Sequence, residues 1–162
     1  MQNNASVYSR RNDGRRLQQF VSEEVLDVAC LNLTAFCKEL NVWEDGDEVS
    51  EPSFLLSLEG CAEQKWHYDY DIPTITADQD MPRSCILAID PFDLRVAPGV
   101  VRGVSEEGAE RATVHVNRRG LIVFRGDLYH AGGEGRGMRL HWFLDKPRVP
   151  GGRHPTGYTV TR

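Results

Sequence analysis

The chain has 162 residues, of which 40% are hydrophobic and 27% are charged. This balance is typical of one globular domain and excludes collagen-like, disordered and disulfide-scaffold proteins. The net charge of −5 makes sequence-independent coating of nucleic acid unfavourable. The sequence contains no apolar run near the roughly 20 residues that span a bilayer, and residues 1–16 lack the apolar stretch of a secretory signal. We therefore expect an intracellular protein of the cytoplasm or nucleus, with no membrane partner.

The N-terminal third is predicted to support a core rather than to form one. Residues 1–16 are polar and arginine-rich, which indicates a flexible basic tail. From Leu17 to Leu40 apolar residues recur at helical spacing, which predicts one helix, with a break near Asn32 as an alternative. Residues 17–52 are therefore predicted to be a helical support.

After Pro52 the sequence changes to short β-type runs separated by Gly, Pro, Asp and Asn. No helical segment separates these runs, so a parallel α/β sheet is disfavoured and an all-β core with helical support is predicted. We expect a single domain over residues 1–162, with a jelly-roll barrel over 53–145 and a C-terminal extension over 146–162. The predicted strands are 54–58, 65–70, 85–89, 94–97, 112–116, 121–124, 128–131 and 138–144, with 158–160 as a further candidate.

The four cysteines form no C-x-x-C pair and do not stand at zinc-finger spacing from a histidine. Because intracellular thiols stay reduced, we expect free structural cysteines rather than disulfides. They are Cys30, Cys37, Cys61 and Cys85.

His67 and Asp69 are the first candidates for metal binding. Residues i and i+2 of a strand point to the same face, so this imidazole and this carboxylate can converge on one ion. A histidine from elsewhere would complete a two-histidine, one-carboxylate triad, which leaves coordination positions open and suits non-haem Fe(II). Asp71 shares the face if the strand runs straight, and is the alternative to Asp69.

His130 and Arg139 are the second pair of candidates. His130 follows an apolar strand and a Gly-Asp turn, in which Asp127 is expected to stabilise the turn. Arg139 stands nine residues later, where the next predicted strand begins. An arginine that faces into an apolar barrel needs an anion, and a dicarboxylate held by two parallel hydrogen bonds would supply one. Arg136 is the alternative to Arg139, and His141, on the same face as Arg139, is expected either to line the pocket or to pack.

The order His67-x-Asp69, then His130, then Arg139 resembles the motif of the Fe(II)/2-oxoglutarate-dependent oxygenase superfamily. The Gly-Asp-Leu-x-His-Ala-Gly pattern around His130 is similar to the phytanoyl-hydroxylase-like branch, and the nine-residue step to the arginine is also seen in the prolyl-hydroxylase-like branch. The resemblance covers residues 53–145. The chain has Val100-Val101 after a Pro-Gly turn where many phytanoyl-hydroxylase-like relatives have Ser-His, which leaves the branch open.

The resemblance implies a double-stranded β-helix in which His67, Asp69 and His130 bind Fe(II). It implies that Arg139 holds the distal carboxylate of 2-oxoglutarate. Ser57 falls where some relatives place a tyrosine that contacts the same carboxylate, so it is a further candidate for cosubstrate binding. The implied activity is a dioxygenase that hydroxylates a C–H bond and releases succinate and CO₂, with ascorbate as the reductant.

The sequence identifies neither the substrate nor the oligomeric state. So short a chain leaves little room for a large lid, which favours a protein or polymer side chain as the substrate, with nucleic acid as a less favoured alternative. Two other hypotheses compete with the dioxygenase. One is a non-catalytic jelly-roll protein that binds metal or a partner. The other is a cupin-like enzyme with a different metal, which predicts an H-x-H pair that the sequence lacks.

Overall fold

The computed structural model of the chain describes residues 15–70, 81–100 and 109–146. Within these ranges the chain forms eight strands and one helix, most of it in two antiparallel sheets. One sheet has five strands in the order β1-β2-β8-β3-β6, and the other has three in the order β5-β4-β7. The elements are β1 (Arg16–Phe20), α1 (Glu23–Glu39), β2 (Glu48–Ser57), β3 (Arg83–Ala88), β4 (Phe92–Ala97), β5 (Ala112–Val116), β6 (Leu121–Arg125), β7 (Tyr129–Gly132) and β8 (Gly137–Asp145).

The helix covers one face of the five-stranded sheet. Cys37 of α1 is fully buried with Cys85 of β3 and with Trp142 and Leu144 of β8. The Phe36 ring meets the Trp142 ring edge-on, with the ring centroids 6.4 Å apart. The predicted helical support is confirmed for this segment, because α1 shields the sheet from water with its C-terminal half.

The helix is shorter than the apolar spacing predicts. Residues 17–20 belong to β1, which pairs with β2 so that Arg16 lies opposite Ser57. The helix begins only at Glu23, and it runs through Asn32 without a break. The prediction was wrong over 17–22 because an available sheet edge satisfies the backbone whatever the side-chain period. The serine and two acidic residues at 22–24 are a helix-start pattern that would have corrected it.

Two boundaries of the predicted regions also move. Strand β2 begins at Glu48, so residues 48–52 belong to the sheet and not to the helical support. The predicted tail ends earlier than expected, since Arg16 is part of β1. The remaining residues of that tail, 1–14, lie outside the described residues, as do 147–162 and the candidate strand 158–160.

Strand β8 separates two different environments. Leu140, Trp142 and Leu144 face α1 and pack in its cluster. The alternate residues face the second sheet: the guanidinium carbon of Arg139 lies 5.4 Å from the centre of the Phe92 ring on β4. Because side chains alternate along a strand, β8 supplies both the outer apolar contact and polar groups for the space between the sheets.

The predicted strand 65–70 is not one. His67 makes an isolated antiparallel bridge with His130, and the backbone N–H groups of Asp69 and Tyr70 both donate to the Gly126 carbonyl, at 3.2 and 3.0 Å. Two donors sharing one acceptor cannot continue a ladder, so the segment is irregular and bends at Asp69.

All four cysteines are free thiols, as the sequence predicts. Within the described residues, no helix combines the length and apolar character that a membrane crossing requires.

Candidate metal centre

A single backbone bridge brings two histidines side by side. The His67 N–H donates to the His130 carbonyl at 2.9 Å, and the His130 N–H donates back to the His67 carbonyl at 3.0 Å. His130 lies on β7, where it faces Val96 of β4. The two imidazole ring centroids are 4.4 Å apart. The three-stranded sheet therefore fixes both rings, although only one of them belongs to a strand.

The tautomer of each histidine follows from its hydrogen bond. Nδ1 of His67 lies 2.8 Å from the Lys65 carbonyl, and Nδ1 of His130 lies 2.8 Å from the Leu128 carbonyl. A carbonyl oxygen only accepts, so each Nδ1 carries the proton and each Nε2 of the neutral ring keeps its lone pair. This arrangement, with the second ring nitrogen bonded to a carbonyl, is the usual one for a metal-binding histidine.

Asp69 completes the group. Its carboxylate oxygens lie 3.7 Å from Nε2 of His67 and 3.8 Å from Nε2 of His130. The Ser84 hydroxyl of β3 donates to Oδ2. Burial alone would raise the pKa of the Asp69 carboxyl, but His130, His141, His67 and the Ser84 hydrogen bond outweigh it and hold the pKa below its ordinary value. The carboxylate is therefore ionised at neutral pH.

The three side chains fit a divalent metal ion. One ligand atom from each of His67, Asp69 and His130 lies within 4.8 Å of the others, and no other such group occurs among the described residues. Two imidazole nitrogens and one carboxylate oxygen leave coordination positions for further ligands, which is the donor set of non-haem Fe(II) sites. A structural zinc site would instead have four protein ligands.

A buried arginine lies close to this group. Arg139 is 7% exposed, and its Nη1 lies 3.4 Å from the hydroxyl of Ser57, which is 3% exposed. A side chain on Gly132 would point to the same face as His130, two residues earlier, and its Cβ would lie 3.4 Å from Nη2 of Arg139. Two residues along a strand span about 6.6 Å. The guanidinium group thus lies beside the face of β7 that carries His130, about two residues further along the strand.

The other predicted candidates are placed as follows. Arg136 is exposed, whereas its rival Arg139 is buried. Asp127 pairs with Arg125 at 2.9 Å. His141 is buried, and its ring meets the Phe143 ring edge-on, with the centroids 4.6 Å apart. Asp71 lies outside the described residues.

Two further polar residues at this site are not predicted by any pattern in the sequence. Ser84 reaches Asp69 from β3, and Arg16 reaches Ser57 from β1 with its Nη1 at 3.2 Å. Neither contact follows from local spacing, since each depends on which strands become neighbours. The contact of Arg16 is also unexpected because residues 1–16 are predicted to be a solvated basic tail.

Removal of the Ser84 hydroxyl should weaken metal binding. We expect Ser84→Ala to lower Fe(II) affinity about 10-fold, the low end of the effect of losing a partner that orients a ligand. Titration of the chain with Fe(II) without oxygen measures it. Ser50→Ala is the matched control, because it removes a hydroxyl bonded to the Asp145 carboxylate. Equal affinities in the two variants would contradict the orienting role of Ser84.

Comparison with known proteins shows the fold. No protein-family model matches the sequence, and no curated protein is significantly similar to it. AviO1 from Streptomyces viridochromogenes matches with a TM-score of 0.66 at 13% identity, over 94% of this chain and 78% of that one. The epimerase SnoN, in complex with Fe³⁺, α-ketoglutarate and nogalamycin RO, matches at 0.60 and 13% over 99% and 78%. HygX from Streptomyces hygroscopicus, with nickel, 2-oxoglutarate and hygromycin B, matches at 0.58 and 10% over 87% and 73%.

These structures and the sheet topology define the class of fold. The chain is a double-stranded β-helix, and its described residues include the supporting helix α1, as the sequence predicts. Identities of 10–13% carry no statement about activity. The function must therefore be argued from the site.

Proposed function

We propose that the chain is an Fe(II)- and 2-oxoglutarate-dependent dioxygenase that hydroxylates a C–H bond and releases succinate and CO₂. The observation that carries this proposal is a buried arginine near a His-Asp-His donor group: His130 of that group lies on β7, and Arg139 lies beside Gly132, two residues further along the same strand. A site that binds only a metal ion needs no buried cation nearby. An oxo acid with a second carboxylate needs the metal ion at one end and a cation such as Arg139 at the other.

One set of residues would bind the metal ion and another would bind the cosubstrate. His67, Asp69 and His130 would hold Fe(II), which when bound supplies the redox chemistry that couples decarboxylation of the oxo acid to hydroxylation. Arg139 and Ser57 would bind the distal carboxylate and orient the oxo acid toward the metal. Nε2 of each histidine faces the Asp69 carboxylate, and Nδ1 of each is bonded to a carbonyl, so metal binding needs no change of tautomer.

The substrate and the branch of the superfamily remain predictions. We propose a protein or polymer side chain as the substrate. SnoN and HygX were crystallised with nogalamycin RO and hygromycin B, so this fold also accommodates small molecules. Hydroxylation is proposed here over epimerisation because the sequence motif resembles hydroxylase branches.

Succinate formation tests the proposal. The purified chain is supplied with Fe(II), 2-oxoglutarate, ascorbate and O₂ but no substrate, and slow uncoupled release of succinate is expected. His130→Ala should abolish it, because the donor group loses one of three ligands. His115→Ala is the matched control, since that exposed histidine pairs only with Asp93 at 2.7 Å among the described residues. Absence of both succinate and 2-oxoglutarate binding in the wild-type chain would overturn the dioxygenase and favour a non-catalytic jelly-roll protein.

A further inference from the structure

Two arginines converge on one buried hydroxyl beside the candidate metal centre. Ser57 lies at the end of β2, between β1 on one side and β8 on the other. Nη1 of Arg16 donates to the Ser57 Oγ at 3.2 Å, and Nη1 of Arg139 approaches it at 3.4 Å. The two guanidinium groups therefore come from opposite neighbours of the same strand.

The Ser57 hydroxyl is left with its proton to donate. A hydroxyl has two acceptor lone pairs and one O–H donor. Both arginines donate to the Ser57 oxygen. Within residues 15–70, 81–100 and 109–146, no group accepts a hydrogen bond from the Ser57 O–H. A hydroxyl polarised by two cations is a strong donor to an anion, so this group is suited to a carboxylate oxygen.

Gly132 lets both guanidinium groups approach β7 closely. A Cβ at this position would lie 3.2 Å from Nη1 of Arg16, 3.4 Å from Nη2 of Arg139 and 2.7 Å from Oε1 of Gln64. Both guanidinium groups thus lie beside the face of β7 that carries His130. Each carries a positive charge, and the two charges together attract an anion to this part of the protein.

Arg16 is fixed in place before any ligand arrives. Its Nη2 donates to the carbonyls of Ala62 at 2.6 Å and Gly133 at 2.8 Å. These bonds hold Nη2, and Nη1 of the same guanidinium is directed at the Ser57 hydroxyl. A guanidinium held in this way loses little freedom when an anion binds, which favours affinity.

We propose that Arg16 is a positioning and specificity-determining residue of the cosubstrate site. It orients the Ser57 hydroxyl and adds a second positive charge, so that the site prefers an oxo acid with a distal carboxylate over one without. This inference rests on the proposed function. It assigns to β1, outside the predicted barrel, a share of the cosubstrate site.

The test compares two ligands that differ only at the far end. Dissociation constants of 2-oxoglutarate and of 2-oxobutyrate, which lacks the distal carboxylate, are measured by calorimetry on the Fe(II)-loaded chain without oxygen. In Arg16→Gln the preference for 2-oxoglutarate should fall about 10-fold or more, the value of a hydrogen bond between charged groups. Arg15→Gln is the matched control, since that neighbour bonds the Glu59 carbonyl instead and should keep the full preference.

The outcomes separate the two proposals. A wild-type chain that binds no 2-oxoglutarate overturns the proposed function and this inference with it. Binding by the wild-type chain with an unchanged ratio in Arg16→Gln overturns this inference alone, because a purely structural brace would weaken both ligands equally. If Arg16→Gln does not fold, Arg16→Lys serves instead: one ammonium group cannot bond the Ser57 hydroxyl and the carbonyls of Ala62 and Gly133 as the planar guanidinium does, so the ratio should still fall, and an unchanged ratio overturns this inference.

Discussion

Replacement of Asp69 by asparagine is expected to abolish metal binding while the fold is retained. The variant keeps the side-chain volume and an oxygen that accepts from Ser84, but it loses the negative charge that the ion requires. For the wild-type chain, Fe(II) at about 100 times its dissociation constant adds about 2.7 kcal/mol to the free energy of unfolding. In a chain of this size that raises the melting temperature by about 5–10 °C. Asp69→Asn should show no such shift.

The control for this prediction is Asp127→Asn. Asp127→Asn makes the same chemical change as Asp69→Asn. The Asp127 carboxylate, however, pairs with Arg125 at the surface, where ion pairs contribute little to stability. This variant should keep the metal-dependent increase in melting temperature in full. The opposite pattern, with the shift retained in Asp69→Asn and lost in Asp127→Asn, would move the metal site to the Gly126 turn.

The spacing of chemically distinctive residues predicts much of the candidate site. Their order and spacing in the sequence indicate a metal site at His67, Asp69 and His130. The structure brings the ligand atoms of these three residues together. The ligand atoms of His67 and Asp69 lie near each other even though residues 65–70 do not form a strand. The bridge from His67 to His130 and the bond from the Asp69 N–H to the Gly126 carbonyl hold this segment beside β7.

The parts that could not be predicted depend on which strands become neighbours. Ser84 and Arg16 carry no local pattern, and they reach the site only because β3 and β1 belong to the same sheet as β2 and β8. The helical period over residues 17–22 was overridden for the same reason, since the edge of β2 offered hydrogen bonds that the local sequence does not reveal. Charge patterning likewise placed Arg16 in a tail, because spacing along the chain cannot distinguish a solvated cation from one opposite Ser57.

The choice between Arg139 and Arg136 gives the second large expected effect. Arg139→Met should lower the affinity for 2-oxoglutarate about 30-fold or more, which corresponds to the loss of about 2 kcal/mol or more when one partner of a buried charge pair is removed. Methionine matches the aliphatic part of the arginine side chain and can pack against the Phe92 ring, so the fold should persist. Calorimetry with the Fe(II)-loaded chain without oxygen gives the dissociation constants, and circular dichroism checks the fold.

Arg136→Met makes the same chemical change three residues earlier. Because Arg136 is exposed between two glycines, its removal should leave the affinity within about twofold, as expected for a surface charge. The two variants therefore distinguish a specific buried contact from general electrostatic attraction, which would be reduced equally by either change. Loss of affinity in Arg136→Met with none in Arg139→Met would assign the distal carboxylate to the loop. The buried arginine would then serve only to hold Ser57 and β2 in place.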